Sequence, residues 1–263
     1  MRLLDLMEPE ETVGNLWHDI ASGIGADLVY PDAGVALADV RPSLSVLFRA
    51  LGGPQGVELG EAPATLMEHR RPLHRKLGTE RERHWIASFD GERLNLPPLI
   101  AAFPEAELNR AAYFWLTALA ANADIPDLTL LNGSVAFDCA QIRLNASAAT
   151  AAYATCPGLR ILAGRMTAHC IAARPKVMRP AQETQIEAAI CDQLGGKATL
   201  PDVQTSPRGY LPFAPIPIWL RFTTPGSGAS AAVNIYRNYE KGSVLIFDEV
   251  ERSSLAEFTE RNF

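Results

Sequence analysis

The stretch that most limits the fold begins at Pro104. Glu105-Ala106-Glu107 places acids where a helix start favours them, and Leu108, Ala112, Tyr113, Trp115, Leu116 and Leu119 follow at helical spacing. Apolar residues cover so much of this helix that it must lie at the centre, with other elements packed round it. A chain of 263 residues can supply that surround, as one large domain or two modest ones.

The surround is itself largely helical. Glu8-Pro9-Glu10-Glu11-Thr12 opens a helix carrying Val13, Leu16, Trp17 and Ile20, ended by Gly23 and Gly25, with His18 packed or capping locally. Pro42 and Ser43 open a second, with Leu44, Leu47, Phe48 and Leu51 on one face and Gly52-Gly53-Pro54 after it. Gln55 to Thr65 reads as loop. Ala146 to Ala154, Leu159 to Ala173 and Pro180 to Leu194 are further helices, separated by Pro157-Gly158 and closed by Gly195-Gly196.

Strand signals are fewer. Asp90-Gly91 between Trp85–Phe89 and Glu92–Leu96 predicts a hairpin near 84–96, because the pair supplies the positive φ angles of a tight turn. Beyond Gly196, Pro201, Pro207, Pro212, Pro215 and Pro217 keep the backbone extended, and strand-like runs follow at 218–223, 231–236 and 244–247. The expectation is an α+β fold: a mainly helical part over 1–196, then a proline-rich segment and small antiparallel sheet over 197–263, packed on the first part.

Acids outnumber bases 30 to 24, so the formal charge is −6, which argues against a general nucleic-acid binder or an anionic membrane surface as partner. Glu8, Glu10 and Glu11 interrupt any leader-like start and no window stays apolar long enough to insert in a membrane, so the reading places the chain in the cytoplasm. Cys139, Cys156, Cys170 and Cys191 are spaced too widely for a paired zinc site and read as reduced, buried thiols. His169, among apolar neighbours, reads as a hydrogen-bonded core histidine.

Catalytic signatures fail on inspection. Val244–Phe247 followed by Asp248-Glu249 resembles the magnesium-binding strand of an ATPase, but that strand works only beside a phosphate-cradling glycine loop, and Gly195-Gly196-Lys197-Ala198-Thr199 has the wrong spacing for one. Gly226-Ser227-Gly228 is only part of a nucleophile elbow. The Asp-x-Ser-x-Ser pattern of a metal-binding von Willebrand A module is missing. No catalytic residue, cofactor or metal is therefore expected. The one locally basic stretch holds Arg70, Arg71, Arg75, Lys76, Arg81 and Arg83 with His69, His74 and His84, either a surface for a carboxylate-rich partner or a solvated face.

Four blocks, 8–18, 40–53, 108–120 and 208–219, together resemble the N-terminal region of the NorD/CbbO family in order and rough spacing. From Thr223 onward the sequence departs from the family pattern, with Asn234-Ile235-Tyr236-Arg237-Asn238-Tyr239 where an acidic, Trp-containing segment would stand. The resemblance implies a non-catalytic adaptor that joins a hexameric MoxR-type AAA+ ATPase to a client enzyme, with a C-terminal von Willebrand A domain making part of the contact. This chain ends before such a domain, as a shortened relative or a piece of a longer protein would. For NorD-like members the implied client is a nitric oxide reductase, for CbbO-like members inhibited Rubisco. The early Glu-Pro-Glu-Glu helix tilts the reading toward NorD. An enzyme of unknown type and a self-associating scaffold, suggested by the aromatic and proline segment 210–219, are the rival classes.

Overall fold

The computed structural model describes residues 29–70, 82–126, 128, 133–197 and 208–224. The expected first helix and everything from Pro225 onward, including the strand-like runs at 231–236 and 244–247, lie outside the described residues.

Five α-helices are described: α1 (Leu37–Ala50), α2 (Ala106–Ala121), α3 (Val135–Thr155), α4 (Arg160–Ala173) and α5 (Ala181–Leu194). As its sequence requires, α2 is the hub. Leu108, Ala112, Tyr113, Leu116 and Leu119 are completely enclosed, and α1, α3 and α4 all pack against it. Its polar groups are enclosed too. Asn109 accepts from the Phe103 amide (2.9 Å) and donates to the Phe103 and Ala33 carbonyls (2.8 Å each). Tyr113 Oη lies 2.8 Å from the Pro97 carbonyl and 3.1 Å from that of Val35. These bonds fasten the strand region to the central helix.

The second helix starts five residues earlier than its sequence suggests. Pro42 sits inside α1, costing one ladder bond, while Leu37, Val40, Leu44 and Phe48 form the buried stripe and the Leu37 amide bonds the Pro98 carbonyl. Burying Leu37 and Val40 offsets that lost bond. At the far end Gly52 takes φ +85°, and Gly53 returns its amide to the Phe48 carbonyl.

The strands are short. β1 (Val35–Ala36) pairs antiparallel with β7 (Leu99–Ile100), and β3 (Ala64–Met67) with β4 (Glu82–Trp85). A four-stranded sheet runs β2 (Glu58–Glu61), β6 (Arg93–Leu96), β5 (Ser88–Phe89), β8 (Arg221–Phe222). The hairpin at Asp90-Gly91 is β5–β6: Gly91 has φ +91°, and Asp90 Oδ1 accepts from the Glu92 and Arg93 amides. Trp85, expected in that hairpin, instead belongs to β4 and pairs with Ala64, while β2 and the start of β3 fall in the stretch read as loop. β8 adds in parallel to β5, with Ser88 opposite Arg221 and Phe89 opposite Phe222. Among the described residues no helix is long and apolar enough to cross a membrane.

Because Asn109 makes three enclosed hydrogen bonds, Asn109→Ala leaves the Phe103 amide unsatisfied in the core. The expected loss is about 2–4 kcal/mol, read as a lower urea midpoint with unchanged slope.

Candidate interaction site

Residues 208–222 form an extended strap laid across α3, α4 and α5. Pro212, Pro215 and Pro217 keep it from coiling and remove three amide donors. Many of the polar backbone groups left over are met by helix side chains instead of neighbouring strands. Trp115 Nε1 donates to the Ile218 carbonyl at 3.0 Å and Arg174 Nη1 to that of Ala214 at 2.8 Å. Glu183 Oε1 accepts from the Leu211 amide at 3.2 Å.

The last turn of this grip is the most regular. Asn145 accepts from the Leu220 amide and donates to its carbonyl (2.9 and 2.8 Å), and Gln141 does the same for Phe222 (2.8 and 2.9 Å). Two side chains four apart on a helix are separated by about 6 Å along its axis, close to the roughly 6.6 Å between alternate residues of a strand. The two amides thus read the strap's backbone as a neighbouring strand would, while β5 holds its other edge.

Acids of α5 brace the other end. Glu183, buried, takes a two-pronged contact from Arg70 (2.8 and 3.0 Å), and Arg70 also reaches the Gly209 carbonyl at 3.4 Å. One turn on, Glu187 is held by Arg174 (2.5 and 2.9 Å) and by Arg179 at 3.3 Å.

Between these grips Asp138 of α3 is buried, 3% exposed, with Tyr210 Oη donating at 2.5 Å and the Phe213 amide at 3.3 Å. Burial pushes its carboxyl up to about 6, against the opposing pull of those donors and of Arg221. The same burial lowers the Arg221 guanidinium, which lies over the Phe137 ring at 5.3 Å from its centre. The Tyr210 hydroxyl is raised by burial and by Asp138, so it stays a donor.

Of the basic residues expected to form a partner surface, Arg70 is committed to Glu183, and Arg83 is exposed on β4. Arg71, Arg75, Lys76 and Arg81, with His74, lie outside the described residues. The structure also joins three histidines that the sequence keeps apart. His69, His84 and His169 line one cavity of about 490 Å³ with the end of α4 and Pro215–Pro217. The His69 and His84 rings are 5.4 Å apart, and His169 sits edge-on to Phe103 at 6.1 Å. Among the described residues no three of His, Cys, Asp or Glu are grouped to hold a metal.

The four cysteines are unbridged. Cys139 and Cys170 are buried as expected, whereas Cys156 and Cys191 are half-buried. Burial pushes the Cys170 thiol up to about 12, which leaves it uncharged and unreactive at neutral pH.

Asp138 yields a signed pH dependence. Its folded value, about 6, lies above the ordinary 3.8, so the folded state holds the proton more tightly. The associated stability is complete below pH 3.8 and is lost as pH rises through about 6. Asp138→Asn keeps an acceptor for Tyr210 while removing the charge. Its stability relative to the parent chain should therefore rise between pH 4 and 7, by on the order of 2 kcal/mol, in urea melts across that range. A constant difference across the window would show that Asp138 does not titrate within it.

No family model matches this chain, and no solved structure does. Curated proteins do. Protein NorD of Brucella suis is 34% identical over 224 residues, 82% of this chain and 35% of the relative. An uncharacterized protein of Pseudomonas aeruginosa is 33% identical over 218 residues, 81% of this chain and 32% of the relative. Protein NorD of Stutzerimonas stutzeri is 37% identical over 117 residues, covering 44% and 19%. The chain thus spans about a third of the length of the Brucella relative, and over most of its own length it is related to the NorD proteins.

Proposed function

We propose that this chain is a non-catalytic adaptor domain that links a MoxR-type AAA+ ATPase hexamer to a client enzyme, a nitric oxide reductase whose activation requires the ATPase. The observation carrying this reading is the 34% identity to Protein NorD across 82% of the chain. Two NorD-like sequence blocks supply the central helix α2 and the strap over 208–219, so the likeness falls on the parts that organise the fold. The relatives that carry a name are NorD proteins, which favours a nitric oxide reductase over Rubisco as client. The adaptor works in the cytoplasm, where its ATPase has nucleotide.

An adaptor needs surfaces that transmit force, and a strap tied by several helices is suited to that. Docking falls to the basic stretch: Arg83 presents its charge on β4, and Arg71, Arg75, Lys76 and Arg81 precede it in sequence. Arg70 serves the docking face indirectly, by fixing the strap through Glu183. Positive charge in an acidic chain suits a carboxylate-rich face on the ATPase, and such contacts act mainly on association rate and salt dependence.

The test is co-purification of the chain with a MoxR-type ATPase from the same organism, together with ATPase rates. Reversing Arg71, Arg75, Lys76, Arg81 and Arg83 to Glu should weaken binding about tenfold or more at low salt and flatten its salt dependence. Failure of the parent chain to bind the ATPase or change its rate would refute the adaptor reading.

A further inference from the structure

A second large cavity, of about 450 Å³, lies where α2, α3, α4 and α5 meet the strap. We infer that it is a binding site for a small planar aromatic carboxylate. The inference stands apart from the adaptor reading and does not depend on it.

Three aromatic residues supply the walls. Trp115 and Tyr153 stand 5.0 Å apart between ring centres at 43°, a tilted pair, and Trp219 of the strap lines the same space. The walls are fixed in advance. Trp115 Nε1 is bonded to the Ile218 carbonyl, and Trp219 packs edge-on against Phe213 at 6.1 Å. Preset aromatic faces favour a flat, polarisable ligand over a flexible aliphatic one, because little ordering remains to be done on binding.

Charge narrows the class further. The chain carries an excess of acid, yet the residues lining this cavity include Arg160 and Lys197 and neither aspartate nor glutamate. The Arg160 guanidinium lies 5.5 Å from the centre of the Tyr153 ring, and among the described residues its hydrogen bond is a long one, 3.5 Å to the Tyr153 carbonyl. A guanidinium has five donors in a planar fork that matches a carboxylate, so most of its capacity is unspent. Lys197, largely exposed, is only loosely matched with Asp192 at 4.0 Å. Burial keeps the Tyr153 phenol protonated and able to donate. One ring and one carboxylate satisfy these walls together. A polyphosphate would need more cations, and an uncharged hydrocarbon would leave the Arg160 fork unused. The volume is within the roughly 300–1,000 Å³ range of small-molecule sites.

The probes are indole-3-carboxylate and its neutral amide, titrated against the whole chain by ligand-observed NMR. The carboxylate should bind saturably with Kd of about 1 mM or tighter, and the amide at least about fivefold more weakly. Arg160→Gln, an exposed change, should erase that preference with an unchanged circular dichroism spectrum. Ala149→Phe, on the half-buried wall, should abolish binding of both; if it unfolds the chain, the Arg160→Gln comparison decides. The inference is overturned by absence of saturable carboxylate binding up to about 10 mM, by equal binding of acid and amide, or by an Arg160→Gln variant that keeps the preference.

Discussion

The pairing of two helix amides with a strand backbone holds this molecule together. Gln141 and Asn145 give the strap a donor and an acceptor at Leu220 and Phe222, as a sheet edge would. Everything else at the site depends on that register. Shift the strap by one residue and Phe222 and Leu220, both buried, turn outward, while Tyr210 loses Asp138. The hydrogen bonds are modest individually, but satisfying them in one register only is what selects the arrangement.

The ion pairs at the other end act differently. Glu183 and Glu187 are largely shielded from water, and so are Arg174 and Arg179. Bringing such charges out of water costs roughly what their attraction returns, so the network adds little net stability. Its worth is positional. Removing any one partner strands the others, and this ties α4, α5 and the strap into a unit that loosens together.

How far the sequence discloses this depends on which side of each helix is apolar. α2 was legible because its enclosure is written as an apolar circumference, and α4, α5 and the Asp90-Gly91 turn were legible from periodicity and punctuation. In α3 only the second half, Ala146 to Ala154, is legible as a helix. Its opening turns point Asp138, Gln141 and Asn145 inward, so the pattern that normally marks a solvated face marks a buried one. α1 was entered late because Pro42 looks like a start signal and is tolerated inside the helix. Strand partners were not legible at all: nothing local tells Trp85 to face Ala64, or Arg221 to lie beside Ser88. The meeting of His69, His84 and His169 is likewise a product of tertiary folding, although the repeated histidine within a basic stretch was a signal that the region is unusual.

The parallel contact between β5 and β8 joins segments well over a hundred residues apart. On the ribosome, β5 therefore emerges long before its neighbour, and one edge of the four-stranded sheet stands open while the helices are still being made. Contacts this distant in sequence form slowly, because the intervening chain must first be organised. The arrival of the strap then seals this sheet edge and meets the waiting helix amides of Gln141 and Asn145.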